Sequence, residues 1–259
     1  MSRLQKIGLC FFTVLVAFAV TFSYLINSQI IKMPEKPWHM QSVVDADSLT
    51  TEYVSKYELL DKKSLLSRFA DSSRITITIL VDAWGVPFDE SLLAEDFAVF
   101  KDLSHREYLH YRLANRARHA EFAELRIPSD SGRSHGGVYL FGGDSLEYGR
   151  NLYIDSLGYD QHLFCQKCAD SVMLGKLDSL LSLDPLLAQE EAKLIALTTQ
   201  DSRDGGRAKL HTTLRGIADV ARRRPGVRFI IQGTHRPILG DPRIRRESFT
   251  HWVPAVVIE

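Results

Sequence analysis

Cysteine is scarce in this sequence, since only three occur in 259 residues. A small protein held together by several disulfides is therefore excluded. Cys165 and Cys168 form a close pair in the segment CQKC, and no second pair completes a four-ligand zinc site. A redox pair of the thioredoxin type opens a helix after a strand, a pattern that this segment does not show. A local disulfide in an oxidising compartment is the simplest interpretation.

Net charge is also lacking, because 32 Lys and Arg residues balance 32 Asp and Glu residues. No nucleic-acid partner is expected, since nucleic-acid-binding domains are usually basic. The positive charge is nevertheless uneven, and residues 215–246 contain nine Arg and two acids. Guanidinium groups match phosphate and sulfate oxygens, so an anionic lipid or glycan is the expected partner. A solvated helix face remains the alternative for Arg222, Arg223 and Arg224.

Long apolar runs are limited to one, which excludes a transporter with several membrane spans. Ile7 to Ile26 contains twenty residues without a charge, enough to cross about 30 Å of hydrocarbon. Arg3 and Lys6 precede this run and predict a cytoplasmic N-terminus, with the rest of the chain outside the cytoplasmic (inner) membrane. Ala17-Phe18-Ala19 resembles a signal-peptide cleavage site. The apolar run continues beyond it, which favours an uncleaved single-pass anchor.

The chain divides into three predicted regions. Residues 1–31 are the membrane anchor, residues 32–73 are a stalk or linker with a short polar helix, and residues 74–259 are an α/β domain. Alternating strands and helices predict a mostly parallel sheet with helices on both faces. The strands are expected at 74–81, 137–141, 193–198, 227–231 and 253–258, and the helices at 91–101, 105–126, 149–158, 169–182 and 210–224.

In such sheets ligands bind beyond the carboxyl ends of the strands. Polar groups follow apolar strands at Asp82, in the turn at 198–203, and in the turn at 233–237 that contains His235 and Arg236. Asp82 can ligate a metal, although Asp is also common in turns and at helix N-caps. A neutral imidazole at His235 can bind a metal, and a loop histidine bonded to backbone is the alternative.

A short motif suggests a different enzyme. Gly143-Asp144-Ser145-Leu146 spells the GDSL block of serine esterases, whose serine is activated by a histidine from a downstream D-x-x-H block. The D-x-x-H segment of this chain runs from Asp102 to His105 and therefore precedes Ser145. A GDSL-type serine esterase is kept as an alternative function on this four-letter match.

With these segments in order, the chain resembles the alkaline phosphatase superfamily, and within it the membrane-anchored, sulfatase-like branch that includes lipoteichoic acid synthases and phosphoethanolamine transferases. The resemblance runs from about Ile75 to Ile258. Ile79-Leu80-Val81-Asp82 is similar to the strand and first metal acid of that family. The segment from Gly137 to Gly143 is similar to its glycine-rich middle strand, and the segment from His251 to Ile258 to its closing strand.

The resemblance implies a divalent metal, zinc or manganese, and a Thr or Ser nucleophile that attacks a phosphorus or sulfur ester. It assigns Asp82 and His235 to the metal, and Arg203, Arg236 and His251 to the substrate. The implied function is that of a membrane-anchored hydrolase or transferase acting on phosphate or sulfate esters of lipid headgroups or surface glycans.

The loop that usually offers a substrate-binding histidine in this family reads Gln200-Asp201-Ser202-Arg203 here. Two further departures concern the nucleophile and the metal. Spacing to Glu121 places the nucleophile at Ala117, and alanine cannot attack an ester. The paired Asp-His turn of the family reads Thr234-His235, so one metal carboxylate is missing. A catalytically degenerate relative is consistent with both departures. A non-catalytic envelope protein that binds an anionic lipid or glycan is therefore an alternative function.

Overall fold

The computed structural model describes residues 48–70, 74–112, 117–127, 137–183, 194–202, 206–237 and 247–259. The expected anchor at Ile7 to Ile26 and the expected substrate ligand Arg203 lie outside these ranges. In the part of the chain that is described, no helix is both long and apolar enough to cross a bilayer. The described residues belong to one compact unit.

Within the described ranges, eight strands form one sheet in the order β1-β3-β8-β7-β2-β6-β4-β5. The strands are β1 (Glu58–Leu60), β2 (Thr76–Val81), β3 (His105–Tyr111), β4 (Gly137–Phe141), β5 (Gln161–Phe164), β6 (Leu194–Thr198), β7 (Arg228–Gly233) and β8 (Trp252–Ile258). Neighbouring strands are parallel except where β8 pairs with β3 and β7. The predicted α/β fold with a mostly parallel sheet is therefore confirmed.

Helices cover both faces of this sheet. They are α1 (Thr51–Lys56), α2 (Leu65–Phe69), α3 (Glu90–Phe97), α4 (Ala117–Glu124), α5 (Asp170–Leu183) and α6 (Arg207–Arg223). Ile77 and Ile79 of β2 share a core with buried residues of α3, α5 and α6. Leu80 faces the opposite side, toward buried residues of α2 and α4. All six residues of β2 are buried, because a strand covered on both faces contacts no solvent.

The helix expected over 105–126 is wrong in its first part. His105–Tyr111 form β3, which pairs antiparallel with β8 along its whole length. Of the described residues in this range, only Ala117–Glu124 are helical. The pairing joins segments that are distant in sequence, and such tertiary contacts override weak local propensity. This difference matters for function, because β3 carries polar residues to the edge of the sheet.

The residues just before 74 take part in the folded unit. β1 pairs with β3 at the edge of the sheet. The ring of Tyr53 in α1 packs edge-on against Phe249 with a centroid distance of 5.5 Å, and its hydroxyl donates to the Pro87 carbonyl. The domain that holds the candidate site therefore begins upstream of the boundary expected at residue 74.

The cysteine pair lies just after β5. Cys165 and Cys168 are joined in the local disulfide that their spacing suggests. The Cys168 N–H donates to the Gly142 carbonyl at 2.8 Å, so the loop after β5 is held against the end of β4.

Candidate functional site

The carboxyl ends of β2 and β7 meet at one edge of the sheet. The two strands are parallel neighbours, and Val81 pairs with Gly233 at their last common position. Asp82 therefore leaves the sheet beside Thr234 and His235. Asp82 is 4% exposed and His235 is 5% exposed, so the two side chains interact largely out of water.

Asp82 and His235 are in direct contact. The His235 Nε2 atom lies 3.3 Å from Asp82 Oδ1. The Thr234 hydroxyl donates to the same carboxylate oxygen at 3.0 Å, and the Ser202 hydroxyl donates to the Asp82 carbonyl at 2.5 Å. The residues after β7 thus contact the carboxylate of Asp82, and Ser202, after β6, holds its backbone.

The hydrogen bond at the other ring nitrogen defines the state of His235. Its Nδ1 lies 2.7 Å from the carbonyl oxygen of Arg236. A carbonyl can only accept, so Nδ1 carries the ring proton. In a neutral ring, Nε2 then directs a lone pair toward the carboxylate of Asp82. A cation bound by both of these atoms would stabilise this arrangement.

The placement of Asp82 and His235 fits two ligand positions of a metal site. Two ligand atoms on one tetrahedral zinc ion lie roughly 3.3 Å apart when the bonds are about 2.0–2.1 Å long. Ligating histidines commonly donate their other N–H to a carbonyl, as His235 does here. A catalytic zinc takes three protein ligands. The described ranges contain no group of three or more His, Cys, Asp or Glu side chains placed to hold an ion.

The turn after Asp82 is tightly constrained. Ala83 has a left-handed φ of 55°, which is uncommon for a residue with a side chain, and its N–H donates to the Thr234 hydroxyl at 3.2 Å. Gly233 passes so close to Trp84 that a Cβ added at Gly233 would lie 1.7 Å from the Trp84 carbonyl oxygen. A side chain at position 233 is therefore incompatible with this turn.

A buried acid holds the indole of Trp84. The Trp84 Nε1 donates to Asp96 at 3.0 Å, and the other Asp96 oxygen accepts from Arg207 at 2.8 Å and lies 2.9 Å from the His211 ring. Burial raises the pKa of the Asp96 carboxyl, while these donors and cations oppose the rise. This cluster supports the turn from behind and keeps the Asp82 backbone in place.

Two of the expected substrate residues, Arg236 and His251, lie at this edge of the sheet. Arg236 is half-buried and contacts His235 through its backbone carbonyl. His251 reaches the same edge because β8 runs antiparallel. The His251 carbonyl accepts from the Arg112 N–H at 2.7 Å, and its ring packs beside Tyr111 with a centroid distance of 5.7 Å.

The position expected for the nucleophile lies on α4. Ala117 begins this helix and is buried. Glu121, one turn later, is buried in an ion pair with Arg150 at 2.6 Å and also accepts from the hydroxyls of Tyr139 and Tyr153. This network satisfies Glu121 and stabilises the helix from which a nucleophile would act.

Sequence reasoning missed a second polar cluster at this edge. The His110 Nδ1 lies 3.1 Å from the amide oxygen of Gln232, and Arg112 lies 3.8 Å from Glu124. Burial lowers the pKa of both His110 and Arg112. Among the residues that the structure describes, Nε and Nη1 of Arg112 find no hydrogen-bond partner. Tyr108, His110 and Arg112 alternate in sequence, as residues on one face of a strand do. The helix expected over 105–126 assigned this segment to a different period.

The serine-esterase pairing does not form. Ser145 follows β4, at the carboxyl edge of the sheet, and its hydroxyl contacts Asp144. His105 is the first residue of β3, which runs parallel to β4. The D-x-x-H histidine therefore lies at the opposite edge, out of reach of Ser145.

No protein-family model matches this sequence, and no curated protein matches it. Solved structures match by fold. A protein in the alkaline phosphatase superfamily from Vibrio parahaemolyticus is similar with a TM-score of 0.54 and 12% identity, over 73% of this chain and 61% of that chain. The lipoteichoic acid synthase LtaP from Listeria monocytogenes is similar with a TM-score of 0.52 and 8% identity, over 73% of this chain and 66% of that chain.

These similarities establish the fold. The chain spans 61% and 66% of the lengths of the two structures. The resemblance to the alkaline phosphatase superfamily, first suggested by strand order and strand-end residues, is confirmed at that level.

Proposed function

We propose that this chain is a membrane-anchored, sulfatase-like hydrolase or transferase that acts on phosphate or sulfate esters of lipid headgroups or surface glycans. One observation carries the proposal. Asp82 and His235 meet within 3.3 Å at the carboxyl edge of the sheet, where α/β proteins bind ligands. The shared fold of the alkaline phosphatase superfamily supports the reaction class.

The proposed location follows from the sequence. Residues 1–31 would anchor the chain in the cytoplasmic membrane, and the C-terminal α/β domain would lie outside the cytoplasm. A disulfide between Cys165 and Cys168 is compatible with such an oxidising compartment. An enzyme tethered in this way would meet its ester substrates at the membrane surface.

Asp82 and His235 are the residues proposed to hold a divalent cation, zinc or manganese. Such an ion supplies Lewis-acid polarisation of a phosphoryl or sulfuryl oxygen. The chain itself provides orientation: Thr234 donates to the Asp82 carboxylate, and the Arg236 carbonyl holds the His235 ring with Nε2 facing the carboxylate. Arg236 and His251 remain proposed substrate residues, and Arg203 is proposed on sequence grounds alone.

A second candidate function is recognition without turnover. Ala117 occupies the position expected for the nucleophile, and its methyl group cannot attack an ester. The described residues also provide two ligand positions where a catalytic zinc needs three. Both observations favour a non-catalytic protein that binds an anionic lipid or glycan at the same edge.

Metal analysis of the purified full-length chain in lipid nanodiscs separates these functions. We expect about one equivalent of zinc or manganese per chain, and its loss in Asp82→Asn and His235→Gln. Asp102→Asn and His119→Gln, which change exposed residues, serve as matched controls and should retain the metal.

Ester turnover is measured on the same samples with 4-nitrophenyl phosphate and 4-nitrophenyl sulfate. Turnover that is lost in both site variants supports the hydrolase or transferase. Binding of the ester without turnover supports recognition alone. A metal-free chain that hydrolyses the ester would refute the metal assignment, and absence of both binding and turnover would refute both functions.

A further inference from the structure

A cavity of about 330 Å³ lies beside the Asp82–His235 pair. Two residues of its lining connect it to that pair. Ala83 directly follows Asp82, and the Ser202 hydroxyl donates to the Asp82 carbonyl. The cavity therefore adjoins the pair at the Asp82–Ala83 backbone.

The wall of the cavity is built by paired loops. The Phe88 N–H donates to the Glu247 carbonyl at 2.7 Å, and the Phe249 N–H donates to the Val86 carbonyl at 2.9 Å. Pro87 and Ser248 form an antiparallel bridge between the same segments. These contacts join the loop after β2 to the segment before β8, so this wall of the cavity is an organised feature of the fold.

The lining is mainly apolar and carries little free charge. Leu92, Leu210 and Pro237 contribute apolar surface. The cation Arg207 is bound to the buried carboxylate of Asp96 at 2.8 Å and to the Leu92 carbonyl at 2.9 Å. Its charge is therefore balanced within the wall. Glu247, the other charged residue of the lining, is exposed and negative, so the cavity does not favour an anion.

The size of the cavity limits its occupant. A protein cavity of about 150 Å³ accommodates benzene, and small-molecule sites begin at about 300 Å³. The cavity therefore has room for roughly two such rings or a short branched chain. The Ser202 hydroxyl, whose proton is donated to the Asp82 carbonyl, can still accept from a ligand hydroxyl. The Ser248 hydroxyl in the lining can bond to a hydroxyl or ether oxygen of a ligand.

We propose that this cavity binds the uncharged, partly apolar organic group of a phosphate or sulfate ester, while the oxyanion of the ester lies at the cation proposed for Asp82 and His235. This inference rests on the proposed function, because it assigns one part of the same substrate to each site. It narrows the substrate to esters of an alcohol with an apolar portion next to the ester oxygen.

Calorimetric titration of the full-length chain in nanodiscs tests the inference with three soluble probes. Phenylphosphonate and methylphosphonate carry the same anionic group on different organic groups, and phenol lacks the anion. We expect phenylphosphonate to bind at least tenfold more tightly than methylphosphonate, and phenol to bind weakly. Equal affinity for the two phosphonates would overturn the inference.

Leu92 is a half-buried residue of α3 that lines the cavity, and Leu92→Trp fills the cavity with a larger side chain. We expect it to reduce the phenylphosphonate preference at least tenfold and to leave methylphosphonate binding unchanged. Leu181→Trp, at a half-buried leucine of α5 outside the lining, is the matched control and should behave as wild type. If the preference survives in Leu92→Trp, the inference is overturned. Leu92→Phe, a smaller change, should give a partial loss and replaces Leu92→Trp if that variant does not fold.

The phenol titration separates the two proposals. Phenol binding that Leu92→Trp abolishes, without binding of either phosphonate, would refute the proposed anion site and retain the cavity as an apolar site. Methylphosphonate binding without any phenyl preference would retain the anion site and refute the cavity as part of it.

Discussion

His235 Nε2 faces Asp82 Oδ1 at 3.3 Å while its ring proton is held on the far nitrogen by the Arg236 carbonyl. The pair thus directs two acceptor atoms toward each other, as two ligands of one cation would be directed. The Thr234 hydroxyl contacts the same carboxylate oxygen at 3.0 Å, so a side chain at position 234 reaches the same place. The first prediction uses this position.

Thr234→Asp is expected to tighten zinc or manganese binding at least tenfold. The substitution adds a carboxylate next to Asp82 and His235 and so supplies a third ligand. Without metal, the two adjacent carboxylates should lower the stability of the chain, because like charges at short distance disfavour ionisation. Calorimetric metal titration, together with urea unfolding with and without metal, measures both effects.

The matched variant Thr234→Val keeps the shape of the side chain and removes its hydroxyl. It should leave the buried Ala83 N–H unpaired, at a cost of about 1–3 kcal/mol, without any gain in metal affinity. Equal metal affinity in Thr234→Asp and Thr234→Val would show that position 234 does not face the ion.

Gly233→Ala is expected to destabilise the chain by about 3 kcal/mol or more, at the upper end for overpacked positions. Its Cβ would lie 1.7 Å from the Trp84 carbonyl oxygen, so the turn that carries Asp82 must move. Gly175→Ala in α5 is the control, because a Cβ there meets nothing within 4 Å. It should stabilise the helix by about 0.5–1 kcal/mol. Urea unfolding of the two variants should therefore show shifts of opposite sign, and a shift of the same sign would contradict the close packing at Gly233.

The strands at the centre of the sheet were predictable from the sequence. β2, β6 and β7 are largely buried, so each reads as a mainly apolar run that is followed by polar residues. The rule that ligands bind where such strands end was sufficient to select Asp82 and His235. Their contact depends on β2 and β7 being neighbours in the sheet, which the sequence suggested only through the family resemblance.

The rest of the edge was not predictable in this way. β3 is polar and has mixed burial, so its sequence fits a helix as well as a strand. Its identity as a strand is decided by pairing with β8, a segment at the far end of the chain. The cluster of His110, Arg112 and Glu124 exists only once that pairing and the packing of α4 are in place.

Arg112→Met is expected to destabilise the chain by about 3–5 kcal/mol, because it leaves the Glu124 carboxylate buried without a cation. Arg112 and Glu124 are 4% and 2% exposed. Adding Glu124→Gln should recover most of this loss. In the wild-type chain the Leu65 N–H donates to the Glu124 carboxylate, and the amide oxygen of the glutamine can accept the same hydrogen bond. Urea unfolding of the two single variants and the double variant gives the coupling free energy.

The exposed ion pair of Arg222 with Asp219 is the control for that cycle. Arg222→Met should change stability by less than about 1 kcal/mol, as is usual for surface pairs. A double variant at Arg112 and Glu124 that is no more stable than Arg112→Met alone would show that the two charges do not depend on each other.

His110 should make the stability of the fold depend on pH just below neutrality. Burial lowers the pKa of its ring below the usual 6.5. Its Nδ1–H donates a hydrogen bond to the amide oxygen of Gln232. The positive charge of Arg112 lowers the pKa of the His110 ring further, whereas the negative charge of Glu124 raises it. As the pH falls through about 6.5, the unfolded chain takes up a proton that the folded chain does not bind. The free energy of unfolding should therefore decrease as the pH decreases, by at most about 1.4 kcal/mol per pH unit. This decrease should stop once the pH reaches the lowered pKa of His110 in the folded chain.

The slope of this dependence identifies its source. His110→Gln removes the titrating ring, so its unfolding free energy should fall less steeply between pH 7.5 and pH 5.5 than that of the wild type, whatever its stability at pH 7.5. His119→Gln, at an exposed histidine of α4, should keep the wild-type slope. Because the carboxylates titrate alike in all three chains, parallel profiles for wild type and His110→Gln would show that the buried ring does not resist protonation. Urea unfolding at three pH values across this range is sufficient to distinguish the two results.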